Sequence, residues 1–130
     1  MAEKISLEVP ATLSALSAVR VVLGGLGARL EFSLEDLDDL FLAMDGLLEA
    51  ALGAEELESI RVLAVVDDGG LRVSAGSFRS AELRDRVGVT PGNCIDLCTV
   101  LHRLVDDVDV REEGDSFSVV FTKHRTDAHS

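Results

Sequence analysis

Two cysteines and a histidine, Cys94, Cys98 and His102, recur at intervals of four residues, a spacing that could place three metal ligands on one helix face. A helix rises about 1.5 Å per residue, so the Cα atoms of Cys94 and His102 would lie about 12 Å apart. Bonds of about 2 Å between a metal and its ligands cannot bring both ends of that row to one ion. The spacing therefore predicts two core cysteines, acting as small hydrophobes on an apolar helix stripe, and no metal site.

Carboxylates are the most abundant reactive groups, and they are concentrated in one segment. Between Arg29 and Arg61 the chain has no basic residue and ten acidic ones: Glu31, Glu35, Asp36, Asp38, Asp39, Asp45, Glu49, Glu55, Glu56 and Glu58. Paired carboxylates could act in acid–base chemistry, but no spacing singles out two of them. Two interpretations stay open: a solvated helix face, or a docking surface that steers a basic partner in a salt-dependent way.

Motifs for phosphate binding and for nucleophilic catalysis are absent in working form. Gly24, Gly25 and Gly27 fall inside a helical pattern, where each glycine costs about 1 kcal/mol relative to alanine. Their position predicts close packing against another element. No nucleophile elbow supports a Ser-His-Asp arrangement.

Length and composition indicate one globular domain. The chain has 130 residues, of which 47% are hydrophobic, so a core forms without a disulfide framework or a structural metal. Its net charge of −12 disfavours direct binding to nucleic acid. The start of the chain lacks the pattern of a signal peptide, and the longest apolar stretch, residues 19–30, is interrupted by two arginines and three glycines. We expect a cytoplasmic protein that does not enter a membrane, one domain over residues 1–130, and a flexible tail at 125–130.

The first half of the chain predicts a strand and two helices. Residues 5–10 alternate apolar and polar types and end at Pro10, as in an edge strand. Apolar residues at helical spacing predict a first helix over 12–30. Ser33 and Asp36 form a capping-box signal for a second helix that ends near Gly53.

The second half predicts two hairpins separated by a loop and a third helix. Strands over 60–67 and 71–75 flank an Asp-Gly-Gly turn, and 108–111 and 116–122 form the last hairpin. Between them lie a loop over 77–92, with at most a helical turn over 81–86, and a third helix that begins at Thr90-Pro91 and carries apolar residues as far as Val108. The fold class is α/β (α+β): a two-layer sandwich of helices on one face of a mixed, mainly antiparallel sheet.

The order of these elements and several local strings resemble the GHKL (Bergerat) ATPase domain of RsbW/SpoIIAB-type anti-sigma factors, which are serine kinases. The resemblance covers nearly the whole chain and rests on residues 7–11, 19–30, 36–44, 104–108 and 118–124. It implies a GHKL-like fold, a homodimer, and binding of a sigma factor and of a STAS anti-anti-sigma protein. Arg20 matches the first-helix arginine that contacts these partners in the family, and we expect Asp38 and Asp39 of the second helix to help steer the sigma factor.

The nucleotide-binding motifs of that family are degenerate in this chain. Gly46 and Ala50 stand where the family has a catalytic Glu and a magnesium-binding Asn, Ser77 and Arg79 where it has Asp-x-Gly for adenine, and Ile95 and Leu97 where it has Gly-x-Gly for phosphate. The resemblance with these departures implies a regulatory protein that binds neither ATP nor Mg²⁺ and does not phosphorylate its partner.

Two alternatives stay open. An active serine kinase would use Asp45 and Glu49, which keep the Glu-x-x-x-Asn spacing one residue earlier, about 100° around the helix. A dimeric scaffold would use the same fold for a different partner.

Overall fold

The computed structural model describes residues 3–68, 70–88 and 97–125, which form one sheet and a layer of helices. The strands are β1 (Glu3–Pro10), β2 (Ser59–Asp67), β3 (Gly70–Phe78), β4 (Asp107–Glu113) and β5 (Ser116–His124). The helices are α1 (Leu16–Arg29), α2 (Leu34–Ala54), α3 (Ala81–Gly88) and α4 (Leu97–Leu104). Within these ranges no helix is long and apolar enough to span a membrane.

The sheet has five strands in the order β1-β2-β3-β5-β4. All four neighbouring pairs are antiparallel, so the sheet lacks the parallel pair that a mixed sheet would have. β1 is an edge strand that ends at Pro10, as predicted, since proline has no N–H with which to continue the ladder. The predicted two-layer sandwich is confirmed.

α2 begins at the predicted capping box. The Asp36 N–H donates to Ser33 Oγ at 3.0 Å, and the Ser33 N–H donates to Asp36 Oδ2 at 3.3 Å. The helix ends at Ala54, one residue beyond the predicted end. α1 starts later than predicted, because a 3-10 turn over Leu13–Ala15, capped by Thr12, precedes it.

Only part of the predicted glycine packing is present in α1. A Cβ atom at Gly27 would contact the side chains of Leu37 and Phe32, so α2 approaches α1 closely there. A Cβ atom at Gly25 would meet nothing within 4 Å. The close-packing prediction therefore holds for Gly27 and is wrong for Gly25.

The segment predicted as a long loop is ordered at its beginning. β3 continues to Phe78, and α3 follows with Ser80 as its cap, because the Leu83 N–H donates to Ser80 Oγ at 3.1 Å. The predicted start of the third helix at Thr90-Pro91 lies outside the described residues. Its predicted end is wrong: α4 ends at Leu104, since the Asp106 N–H already donates to Thr122 O of β5 at 2.9 Å, and Val108 lies in β4.

The core lies between the helices and one face of the sheet. Side chains pointing to that face alternate along each strand, and Val62, Val73 and Phe121 are at most 2% exposed. Arg125 forms an ion pair with Glu31 at 3.2 Å, and the rest of the predicted tail, residues 126–130, lies outside the described residues. The opposite face of the sheet is not covered by any helix that the structure describes.

A buried lysine joins three elements beneath the helix layer. Lys123 of β5 donates from Nζ to Leu104 O at the end of α4, at 3.0 Å. The same Nζ atom lies 3.6 Å from Asp39 Oδ2 and 4.0 Å from Asp36 Oδ1, both in the first turns of α2. The side chains of Lys123 and Asp36 are 10% and 4% exposed, so each charge is compensated almost entirely by the protein.

Replacing Lys123 by methionine should destabilise the fold by about 3 kcal/mol, because it leaves a buried carboxylate and a helix C-terminal carbonyl without their cation. Urea unfolding of Lys123→Met measures the change. Arg84→Met is the control, because the Arg84–Glu112 pair is partly solvated and its loss should cost less than about 1 kcal/mol. Equal losses in the two variants would contradict the assigned role of Lys123.

Candidate functional site

α2 packs against α1 along one flank and against α4 along another. The side towards α1 carries the contacts of Arg20, and the side towards α4 carries Gly46 and Leu97, two of the positions that match the nucleotide motifs.

Arg20 lies on α1 beside the first flank of α2 and is held in place by two contacts. Its Nη2 atom donates to Asp45 Oδ2, and its guanidinium carbon lies 5.5 Å from the centre of the Phe41 ring. The hydrogen bond to Asp45 raises the pKa of Arg20, and the charges of Asp45 and Asp38 raise it further. About half of the Arg20 side chain stays exposed, so the cation is fixed but accessible.

Exposed apolar side chains lie on the same two helices as Arg20 and its partners. Val21 of α1 is 75% exposed, and Leu34 and Leu42 of α2 are 80% and 56% exposed. Leu34, Asp38 and Leu42 are spaced by four residues, so they form one strip on the outer side of α2. We call this set the α1–α2 surface: Arg20, Val21, Leu34, Asp38, Leu42 and Asp45.

Two of the three predicted partner-binding residues lie on this surface. Arg20 and Asp38 are near enough for the carboxylate to raise the arginine pKa. Asp39 lies on the other flank of α2, with its carboxylate 3.6 Å from Lys123 Nζ. The structure therefore assigns Asp39 to the Lys123 cluster and does not bring it to Arg20.

Two of the positions that match the nucleotide motifs, Gly46 of α2 and Leu97 of α4, are neighbours in the structure. A Cβ atom at Gly46 would lie 3.7 Å from Leu97 Cδ1, and Leu97 is 8% exposed. Ala50, one turn further along α2, is half-buried and packs against the core. Ile95 lies outside the described residues. Apolar packing between α2 and α4 thus occupies the space beside Gly46.

The positions that match the adenine motif belong to a turn that α2 holds. Glu55, at the end of α2, accepts hydrogen bonds through Oε2 from the N–H groups of Arg79 at 2.9 Å and Ser80 at 2.7 Å. Ser77 lies where the pairing of β3 with β5 is irregular, and it lines a depression on the uncovered face of the sheet. Among the described residues, no contact joins Ser77 or Arg79 to Gly46.

The carboxylates of a kinase alternative do not form a pair. Asp45 is bound to Arg20, and Glu49 is exposed. Within the described ranges, no group of three or more His, Cys, Asp or Glu side chains could hold a metal ion. His102 is half-buried on α4, and Cys94 lies outside the described residues.

Three contacts of this region were missed at the sequence level. Phe41 and Asp45 bind Arg20 across 21 and 25 positions of the chain, and Glu55 binds Arg79 across 24. Local spacing does not report such pairs. The exposed leucines did leave a signal, since Leu34 and Leu42 fall off the buried stripe of α2.

Comparison with known proteins identifies the fold. No family model matches the chain, and no curated protein matches it significantly. A crystal structure of RsbU and RsbW domains from Mycobacterium tuberculosis is similar, with a TM-score of 0.67 and 18% identity over 94% of this chain. The match covers 32% of that solved chain, so this sequence spans about a third of its length. The chain therefore shares its fold, a five-stranded antiparallel sheet with a layer of helices, with part of that RsbU and RsbW structure.

Enlarging Gly46 should reveal how tightly α4 packs on α2. Gly46→Leu should destabilise the protein by about 1–3 kcal/mol relative to Gly53→Leu, because Leu97 occupies the space beside Gly46. Gly53 is the matched control: it lies on the same helix, and a Cβ atom there would meet nothing within 4 Å. Equal stabilities in urea unfolding would mean that α4 does not pack closely on Gly46.

Proposed function

We propose that this protein is a regulatory binding domain of the anti-sigma-factor type, which binds a sigma factor or a STAS anti-anti-sigma protein and does not use ATP. The observation that carries the proposal is the α1–α2 surface on an RsbW-like fold. That surface combines a fixed arginine, a residue type that is enriched among the hot spots of protein interfaces, with exposed Val and Leu side chains whose apolar area a partner would bury.

The state of Arg20 supports a role in recognition. A long flexible side chain loses conformational entropy when a partner immobilises it, at a cost of about 0.5–1.5 kcal/mol. The contacts with Asp45 and Phe41 meet part of that cost before binding. A partner carboxylate can approach the exposed half of the guanidinium group and share it with Asp45.

The charge around Arg20 favours a partner that is basic overall. α2 contributes Asp38, Asp45 and Glu49 to the outward side, and the segment between Arg29 and Arg61 contains no cation to offset them. Such a surface speeds the approach of a basic protein, with a rate that falls as salt increases. The sigma factor is therefore expected to place basic residues over α2 and an acidic residue at Arg20.

Three features support a function without nucleotide. The positions of the catalytic Glu and the magnesium-binding Asn hold Gly46 and Ala50, which have no side-chain ligand atoms. Leu97 packs beside Gly46, and Glu55 binds the turn that would recognise adenine. Within the part of the chain that the structure describes, no contact favours the serine kinase alternative, because Asp45 forms an ion pair with Arg20 and Glu49 is exposed to solvent.

Isothermal titration calorimetry with each purified sigma factor of the host tests whether a sigma factor binds this protein through the α1–α2 surface. Arg20→Glu should weaken binding about ten-fold or more, a change of about 1.4 kcal/mol, because it removes the central cation and adds a fourth carboxylate. Arg103→Glu is the matched control, since Arg103 is exposed on α4, away from the α1–α2 surface. If Arg20→Glu leaves the affinity unchanged, or if both variants lose the same affinity, the α1–α2 surface does not bind the sigma factor.

Calorimetry also tests whether the protein binds nucleotide. Titration of MgATP into the wild-type protein should produce no binding heat. Micromolar binding that Glu49→Ala abolishes would overturn the proposal of a function without ATP and would favour the kinase alternative.

A further inference from the structure

The face of the sheet that no described helix covers carries three rows of outward side chains, which we call the outer rows. Antiparallel pairing aligns every second residue of each strand with its neighbours across the sheet. The first row contains Lys4, Val65, Arg72, Thr122 and Asp107, the second contains Ser6, Leu63, Ser74, Val120 and Asp109, and the third contains Glu8, Arg61, Gly76, Ser118 and Arg111. They lie on the other side of the sheet from the α1–α2 surface, so an inference about them does not rest on the proposed function.

The middle of the second row is apolar. Leu63 is half-buried there, and Val120 is 4% exposed without belonging to the core beneath the helices. Together with Val65 of the first row they line a shallow depression of about 200 Å³. Covering apolar surface of this kind is favourable. The second row can therefore receive one apolar side chain of a partner.

Cations lie on both sides of this apolar centre. Lys4 and Arg72 belong to the first row, and Arg61 and Arg111 belong to the third. All four are exposed, and none forms an ion pair with a residue in the described ranges. They are a third of the 12 basic residues in a chain that has 24 acidic ones. Such cations favour a partner that brings carboxylates.

The carboxylates of the outer rows lie on the two edge strands. Glu8 is on β1, where it accepts a hydrogen bond from Ser59 Oγ at 2.8 Å, and Asp107 and Asp109 are on β4. On the three central strands the outer rows hold two arginines and no acidic residue. The carboxylates of α2 lie behind the sheet, and salt screens such charges over about 8 Å at physiological ionic strength. The centre of the face is therefore locally positive.

The spacing of the outer rows favours an extended peptide. Successive rows are two residues apart along each strand, or about 6.6 Å, so the two cationic rows are about 13 Å apart. One small carboxylate cannot contact both of them. In an extended peptide every second side chain points to the same side, with the same spacing of about 6.6 Å. A peptide that runs along β3 can thus place an acidic, an apolar and an acidic side chain over the first, second and third rows.

Hydroxyl groups along this path can bind the peptide backbone. Thr122, Ser74 and Ser118 belong to the first, second and third rows, and each hydroxyl can donate and accept a hydrogen bond. Backbone N–H and C=O groups need such partners once they are covered. Gly76 lacks a side chain and lines a second depression, of about 430 Å³, which shares Leu63 and Ser74 with the first. The peptide can therefore approach the sheet closely at the third row.

We propose that the outer rows bind an acidic segment of a partner protein in extended conformation, with the pattern acidic-x-apolar-x-acidic. Lys4 and Arg72 bind the first carboxylate, and Arg61 and Arg111 bind the second, through charge-assisted hydrogen bonds. The apolar side chain between them covers the depression of the second row.

Amide nitrogen–proton correlation spectra of the labelled protein, titrated with the peptide acetyl-Gly-Asp-Ser-Leu-Ser-Asp-Gly-amide, test the proposal. Resonances of the outer rows on β2, β3 and β5 should shift, with a Kd below about 1 mM. A peptide with Asn at both Asp positions should bind about ten-fold more weakly or worse, because it keeps the shape and loses the charge. A peptide with Ala in place of Leu should bind about five-fold more weakly or worse, because it buries less apolar surface.

A charge reversal tests the protein side of the contact. Arg72→Glu should weaken binding of the wild-type peptide about ten-fold or more, because it replaces a cation of the first row by a carboxylate. Arg103→Glu makes the same change of charge on the exposed side of α4 and should leave the binding unchanged. Both arginines are exposed, so we expect both variants to fold, and the resonances far from each substitution check this. Equal losses in the two variants would overturn the proposal.

Three other results would also overturn it. The first is an absence of shifts in the outer rows at about 1 mM peptide. The second is binding of hexanoate as tight as that of the peptide, which would assign the depression to a small amphiphilic anion. The third is a wild-type dimer that Arg72→Glu dissociates and the peptide does not, which would assign the outer rows to a second copy of the chain.

Discussion

Lys123 brings a positive charge into the junction of β5, α2 and α4, and it fixes the start of α2, the helix that carries most of the candidate site residues. Its Nζ atom lies within 4.0 Å of two carboxylates in the first turns of α2 and binds the last carbonyl group of α4. A cation at a helix C-terminus and carboxylates near a helix N-terminus are each favourable with respect to the helix dipoles. One side chain therefore fixes two helices over one strand.

With α2 held in this way, its two flanks have different uses. The flank towards α4 is filled by apolar packing around Gly46 and Leu97, two of the positions that match the nucleotide motifs of the resembled family. The flank towards α1 keeps Arg20 accessible beside Phe41 and Asp45. The proposed function rests on this difference, since Gly46 has no side-chain ligand atom on one flank and Arg20 is held but accessible on the other.

Local patterns predicted the elements, and distant contacts explain where prediction failed. The capping box of α2 and the end of β1 at Pro10 were readable because their residues are close in sequence. The sequence predicted at most one helical turn where α3 forms, because the buried apolar residues of this helix are only Leu83 and Val87. The turn before α3 is also held by Glu55, which lies 24 residues before Arg79 and so leaves no local signal. Asp39 stays a predicted partner-binding residue, but the sequence does not show that Lys123, 84 positions away, lies beside it. The sequence alone shows that Gly46 and Ala50 have no side-chain ligand atoms. Only the structure shows that Leu97 packs beside Gly46.

We propose that this fold recognises a protein through the α1–α2 surface and leaves nucleotide unbound. The most direct measurement is a titration with a host sigma factor, in the presence of MgATP, followed by amide nitrogen–proton correlation spectra of the labelled protein. We expect the amide resonances to stay unchanged when MgATP is added. When the sigma factor is then added, we expect the resonances of Arg20, Val21, Leu34 and Leu42 to shift or broaden. Shifts around Gly46 and Leu97 with MgATP alone, or a sigma-factor footprint that avoids α1 and α2, would contradict this proposal.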